Sequence, residues 1–178
     1  MLVIPELAVR IRTGLGSGCL RSHSVMKIRP LADQPNAIPI LAEWFHTEWC
    51  SYDGRSRGEI ERQLRDNLNR DLLPITFIAS EKEQVIGTVS LDESDLPSHD
   101  HLSPWLASLY VVPSHRRVGV ACALVLHLVA FAQSRGISTI YLWTPGSTSF
   151  YERLGWTRLE RAVLGRFEVV IMQYRTGY

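Results

Sequence analysis

Trp105-Leu-Ala-Ser-Leu-Tyr-Val-Val-Pro113, Ser114-His-Arg-Arg-Val-Gly-Val-Ala121 and Ser138-Thr-Ile-Tyr-Leu-Trp143 follow one another in the chain, and their order decides the fold. The first run is rich in β-branched and aromatic residues, and Pro113 stops it as a proline stops a strand. Residues 118–131 are apolar except for His127, which reads as a long buried helix. Gly136 closes that helix, and Ser138 to Trp143 reads as a second strand. Two strands joined through a helix of this length form a crossover unit, so they lie side by side and parallel.

The turn between the first strand and the helix carries chemistry. Arg116, Arg117, Gly119 and Ala121 sit where the first helical turn exposes N–H groups without intrahelical partners. Those groups and the positive end of the helix dipole suit a phosphate. Gly119 has no Cβ, which lets an oxygen approach the backbone. Two arginines add fixed positive charge, and a guanidinium binds phosphate in bidentate fashion. On residue types alone, an ordinary strand-to-helix turn with two solvated arginines fits equally well.

Three elements together carry a resemblance. Arg116-Arg-Val-Gly-Val-Ala121 fits the pattern Arg/Gln-x-x-Gly-x-Gly/Ala, Leu109-Tyr-Val-Val-Pro113 precedes it as a strand ending in proline, and Phe150-Tyr-Glu-Arg-Leu-Gly-Trp156 follows the second strand. In this order and spacing the chain resembles the GNAT superfamily of acyl-CoA-dependent N-acyltransferases. The family often has Asn and Ala upstream of its Phe-Tyr pair, where this chain has Thr144 and Ser147, and often Gly after the first Arg or Gln, where it has Arg117.

Outward from this centre the chain is ordinary globular protein. Its 178 residues suit one domain with a sizeable core, and 46% hydrophobic and 21% charged residues fit that class. A net charge of +1 favours neither nucleic acid nor an acidic membrane as partner. No apolar run has the length of a bilayer span. Cys19, Cys50 and Cys122 have no metal-type spacing and read as free thiols in a reducing compartment, which points to the cytoplasm. Residues 1–24 carry Arg10, Arg12 and Arg21 against Glu6, then Gly14-Leu-Gly-Ser-Gly18. They read as an amino-terminal arm or extra strand, with a targeting peptide as the other reading. The resemblance implies that residues 25–178 are the N-acetyltransferase domain.

Val25-Met-Lys-Ile-Arg-Pro30 alternates as a half-buried strand does. Residues 37–49 and 58–69 have amphipathic helical patterns, and Cys50-Ser-Tyr-Asp-Gly-Arg-Ser56 reads as the loop between them. Pro74-Ile-Thr-Phe-Ile-Ala-Ser80 and Gln84-Val-Ile-Gly-Thr-Val-Ser-Leu91 are two strands of a hairpin that turns at Glu81-Lys-Glu83. Residues 92–104 form a long acidic loop. Its His99-Asp-His101 has no evident further ligand, so no metal is assigned and a solvated or acceptor-facing rim is expected. Trp156 to Glu160 and Gly165 to Tyr174 are strands, with Arg161-Ala-Val-Leu-Gly165 joining them. The expected fold is α/β (α+β): a mixed, mostly antiparallel twisted sheet with a central parallel pair and helices on both faces.

The resemblance implies transfer of an acetyl group from acetyl-CoA to a primary amine in a ternary complex, the amine belonging to a small molecule, a peptide N-terminus or a lysine. It implies that Arg116, Arg117, Val118, Gly119, Val120 and Ala121 hold the pyrophosphate. Leu109, Tyr110 and Val111 would pair through their backbone with the pantetheine arm, in a gap beside a bulged central strand. Thr144 and Ser147 would lie along the cofactor. Tyr151 is the implied general acid, or else a packing residue. Asp92 and Glu93 are candidates for the general base, with Ser108 behind them. Trp49 and Tyr52 border the implied acceptor site. A non-catalytic acyl-CoA sensor of the same fold is the alternative, and the acyl length, the acceptor and a homodimeric state stay open.

Overall fold

The computed structural model describes residues 26–177, the side chains of 50–53 excepted. The arm or strand expected for residues 1–24 and the side chain of Tyr52 lie outside the described residues. Seven strands form one sheet: β1 (Lys27–Pro30), β2 (Ile75–Glu81), β3 (Gln84–Asp92), β4 (Trp105–Val111), β5 (Thr139–Thr144), β6 (Thr157–Leu164) and β7 (Phe167–Arg175). Their order is β1-β2-β3-β4-β5-β7-β6. Every neighbouring pair is antiparallel except β4 and β5, which are parallel. The helices are α1 (Ile38–Asp53), α2 (Arg57–Asp66), α3 (Val120–Ser134) and α4 (Thr148–Glu152). This is the mixed α/β sheet that the sequence leads one to expect.

Strand periodicity sorts the two faces. Ile75, Phe77 and Ala79 of β2 pack with Leu124, Val125 and Leu128 of α3. Ile78, one step out of phase, packs with Leu41, Phe45, Ile60 and Leu64 of α1 and α2. In β3 the same alternation sends Val89 and Leu91 under α3, while Ser90 and Asp92 face the α1–α2 side and line a cavity there. His127, the one polar residue in the apolar run of α3, is buried edge-on to Phe77 at 4.7 Å. Burial pushes its pKa down and keeps it neutral in this core.

Element ends differ from expectation in three places. Residues 50–53 are the last turn of α1 rather than loop, so the link to α2 shrinks to Gly54, Arg55 and Ser56. Ser56 then opens α2 with a capping box: its Oγ accepts from Glu59 N–H at 3.3 Å, and its own N–H donates to the Glu59 carboxylate at 2.8 Å. The helix ends at Asp66, short of Asn69. Residues 161–164, expected as a connection, continue β6 in register with β7. β6 is an edge strand with little burial, so its sequence lacks the alternation that marks a strand.

Gly87 sets how closely α3 lies on the sheet. A Cβ there would stand 2.9 Å from the Tyr110 carbonyl oxygen, 3.1 Å from Leu124 Cδ1 and 3.3 Å from Val120 Cγ1. Backbone on one side and the first turn of α3 on the other leave no room for it. Gly87→Ala is expected to lower stability by about 1–3 kcal/mol through overpacking, measured by urea unfolding. An unchanged midpoint would mean that α3 slides outward freely.

Candidate active site

The site begins with an irregularity in β4. Thr88 pairs with Tyr110 and Ser90 with Ala107, so Ser108 and Leu109 together oppose Val89. This is a β-bulge, and Ser108 takes the left-handed φ of +54°. On its other edge β4 pairs with β5 only at Trp105 and Tyr141, where Tyr141 N–H reaches the Pro104 carbonyl at 2.9 Å. Beyond that point the parallel strands part and a gap opens beside the bulge. The two bulge residues serve different spaces. Leu109 lines a cavity of about 290 Å³ together with Tyr110, Val111, Ala121, Ser147 and Tyr151. Ser108 lines a cavity of about 420 Å³ on the α1–α2 side, with Thr76, Ser90 and Asp92.

The start of α3 borders the smaller cavity. Arg117 and Gly119 both have left-handed backbones, with φ of +63° and +96°, a pattern that turns successive N–H groups toward one concavity. The first helical bond is Ala123 N–H to Gly119 C=O at 3.0 Å, so the N–H groups of Val120, Ala121 and Cys122 precede the ladder. A Cβ on Gly119 would meet nothing within 4 Å, so the approach to these groups is open. Arg117 and Val118 are exposed beside it. Arg116 does more than carry charge. Its Nε donates to the Val111 carbonyl at 2.8 Å, its Cζ lies 5.5 Å over the Tyr110 ring, and Nη2 is 3.8 Å from Glu48. The guanidinium staples the end of β4 to the turn. Trp44 stacks on Tyr110 at 4.9 Å and braces the same corner.

Tyr151 is buried on α4, in edge contact with Phe150 at 4.9 Å and Trp156 at 5.9 Å. Burial pushes its phenol up to about 12, so it holds its proton across the neutral range. Phe150 packs against the core and also lines the same cavity as Tyr151. Thr144 is buried, and its Oγ1 accepts from Ser147 N–H at 3.0 Å and from Gly146 N–H at 3.4 Å. It shapes the turn into α4, and Ser147 is the member of the pair that lines the cavity. Trp49, expected to border the acceptor site, lines the smaller cavity with Leu109 and Tyr151.

The two candidate bases separate cleanly. Asp92 is half-buried in the larger cavity, and burial pushes its carboxyl up to about 7 while the Arg55 guanidinium pulls the other way. Glu93 is exposed and does not line the cavity. Thr76 and Ser90, opposite each other in register, share a buried hydrogen bond of 2.9 Å on the same cavity wall. Arg55 and Asp95 also line it, and no motif in the sequence singles them out. His99 lies 3.7 Å from Glu160 and hydrogen-bonds to Ser98 at 2.8 Å. Among the described residues no three His, Cys, Asp or Glu side chains gather to hold a metal ion, and no helix is long and apolar enough to cross a membrane.

Solved structures share this architecture. An aminoglycoside 6'-N-acetyltransferase complexed with coenzyme A superposes with a TM-score of 0.69 at 16% identity, over 85% of this chain and 97% of that one. The aminoglycoside 6'-N-acetyltransferase from Enterococcus faecium gives 0.66 at 18% identity, over 85% and 97%. A Salmonella typhimurium structure with its cofactor acetyl-CoA gives 0.66 at 17%, over 85% and 94%. At such identities the likeness establishes the fold. No curated protein matches the chain in sequence. The sequence pattern of the acetyltransferase (GNAT) family, however, matches residues 39–156, which span the α1–α2 wall, the bulged strand, the helix start and the Phe-Tyr helix. The chain belongs to the acetyltransferase (GNAT) family and is an enzyme of that class.

Proposed function

We propose that the protein transfers an acetyl group from acetyl-CoA to a primary amine by direct attack in a ternary complex. One observation carries this reading: two cavities adjoin at the β4 bulge, one holding an open helix start and a buried phenol, the other a carboxylate that titrates near neutrality. The donor cavity fits coenzyme A. The N–H groups at the start of α3 and the exposed Arg117 suit a diphosphate. The edge of β4 at 109–111, which has no β5 partner in the ladder, suits an amide-bearing arm that pairs as an added strand would.

Acetyl-CoA, when bound, supplies a thioester whose carbonyl carbon the amine attacks. The chain's own groups handle position and protons. Leu109 N–H, at the bulge, holds the developing negative charge on the carbonyl oxygen. Asp92 takes the first proton from the ammonium. A base titrating near 7 is stronger than an ordinary carboxylate, and about half of it is ionised at neutral pH. Tyr151 donates its proton to the sulfur as the C–S bond breaks and the N–C bond forms. The second amine proton, lost as the amide forms, restores the phenol through solvent. The products are the amide, the free thiol and one proton released from Asp92. The three cysteines, read as thiols, favour the cytoplasm as the compartment.

Release of free thiol from acetyl-CoA in the presence of amines tests the reading. Tyr151→Phe keeps the ring and removes the proton. Its kcat is expected to fall at least about tenfold, the lower end of general acid assistance with water substituting, while affinity for acetyl-CoA stays close to wild type. Normal kcat with chemistry rate-limiting would make Tyr151 a packing residue. Binding of acetyl-CoA with no thiol release for any amine would replace the enzyme reading with that of a sensor.

A further inference from the structure

We infer that the acceptor is an amino acid or a close relative, a primary amine that carries one carboxylate on an apolar body, with Arg55 holding the carboxylate. The inference rests on the reading that the larger cavity is the acceptor site.

That cavity has a definite chemical layout. At about 420 Å³ it has the size of a small-molecule site. Phe45, Ile60, Leu64 and Trp143 give it an apolar wall. Its charged groups come from two sides. Asp92 and Asp95 stand at and just after the end of β3, in the same cavity as Ser108 of the bulge. Arg55 stands in the link between α1 and α2, half-buried, where its Nη1 donates to Gln63 Oε1 on the same wall. Gln63 sets the plane of the guanidinium. The pull of Arg55 on the Asp92 carboxyl means that the two charges are within electrostatic reach of each other.

A fixed cation in an amine's pocket selects among amines. A ligand with several ammonium groups, such as a polyamine or an aminoglycoside, meets attraction from Asp92 and Asp95 but also brings like charge against the guanidinium in a half-buried space, where repulsion is weakly screened. An amine without an anion leaves the guanidinium with nothing to gain from the ligand. An amino carboxylate does better on both counts. Its ammonium goes to the acids beside the bulge, its carboxylate to Arg55 in the fork geometry that a guanidinium favours, and its side chain to the aromatic wall. The acids point the amine at the thioester, and Arg55 fixes the other end.

The test compares L-phenylalanine, L-methionine and L-leucine, each against its decarboxylated amine, with spermidine and O-phosphoethanolamine as further arms. Thiol release is followed as kcat/KM. At least one amino acid is expected to exceed its decarboxylated amine by about tenfold or more, the scale of a charge-assisted pair. Arg55→Gln is expected to bring that ratio to about one, and Arg55→Lys to restore part of it. An effect of Arg55 that acted only through Asp92 would lower both members of a pair equally and leave the ratio unchanged, which would overturn the assignment. So would a decarboxylated amine or spermidine as the best acceptor, and phosphoethanolamine as the best would replace the carboxylate by a phosphate. Should no amine release thiol, the acyl-transfer reading fails separately, and melting of the coenzyme A complex decides the ligand class. A rise in Tm with an amino acid, absent with its amine and lost in Arg55→Gln, sustains the inference; no rise overturns it.

Discussion

Asp92→Asn is expected to lower kcat by about 10²–10⁴-fold, the range for loss of a positioned general base. The substitution keeps the shape and removes the proton acceptor. Wild-type turnover is expected to rise with pH through about 7, where Asp92 ionises, and the variant to lose that limb and follow the acceptor's own deprotonation. Stability is expected to move the opposite way. The carboxyl has its ordinary value of 3.8 when unfolded and about 7 when folded. Its folded pKa is raised, so the native state loses stability as pH climbs from the first value to the second and stays lower above it. Asn carries no such cost. Relative to wild type, Asp92→Asn is therefore expected to melt higher at pH 8 and to gain nothing at pH 4. Thiol-release kinetics from pH 5 to 9 and melting at both pH values check the pair. Unchanged kcat under rate-limiting chemistry, or a lower Tm at pH 8, would remove Asp92 from the mechanism.

Gly119→Glu is expected to weaken coenzyme A binding at least about a hundredfold, roughly 2.7 kcal/mol. It sets a carboxylate where the start of α3 would receive phosphates, and like charges repel across that gap. The structure separates charge from strain. A Cβ at this position meets nothing within 4 Å, yet φ is +96°, so Gly119→Ala costs about 1–2 kcal/mol of backbone strain without a clash. The alanine variant is expected to lose stability and a smaller share of affinity, and the glutamate variant to lose stability similarly and almost all affinity. Titration calorimetry with coenzyme A measures both. Wild-type affinity in Gly119→Glu would end the phosphate-site argument.

The central crossover was legible because every local signal agreed. β4 has strand composition up to Pro113, α3 is a continuous apolar run, and the Arg116 to Ala121 turn matches a helix start. The choice between Asp92 and Glu93 was also available in principle. Leu91 packs under α3, so period two sends Asp92 to the opposite face and carries Glu93 off the strand end. The bulge was expected only by resemblance, since no residue type marks a left-handed Ser108. Arg55 and Asp95 were invisible, because one stands in the α1–α2 link and the other beyond the end of β3, and only the fold brings both to the wall of one cavity. Arg116 shows the limit of a motif: a charge suited to phosphate also ties the turn to Val111. The end of α1 and the length of β6 were misjudged where polar, loop-like composition is overruled by helix continuation and by ladder pairing.

The division of labour at the bulge has a consequence for how such a protein changes over generations. Codon substitutions alter side chains and leave N–H and C=O groups where they were. On the proposed reading, the donor cradle would be made from the main chain at 109–111 and 120–122, and would be blind to most single substitutions, with proline in the strand and bulk at Gly119 as the exceptions. The larger cavity, the acceptor site on that reading, is made from side chains, Arg55, Trp143 and Asp92 among them, and each is one substitution from another chemistry. Drift can therefore rewrite the acceptor in small steps while the donor is inherited intact, and a lineage can acquire new amines without ever losing its acyl source.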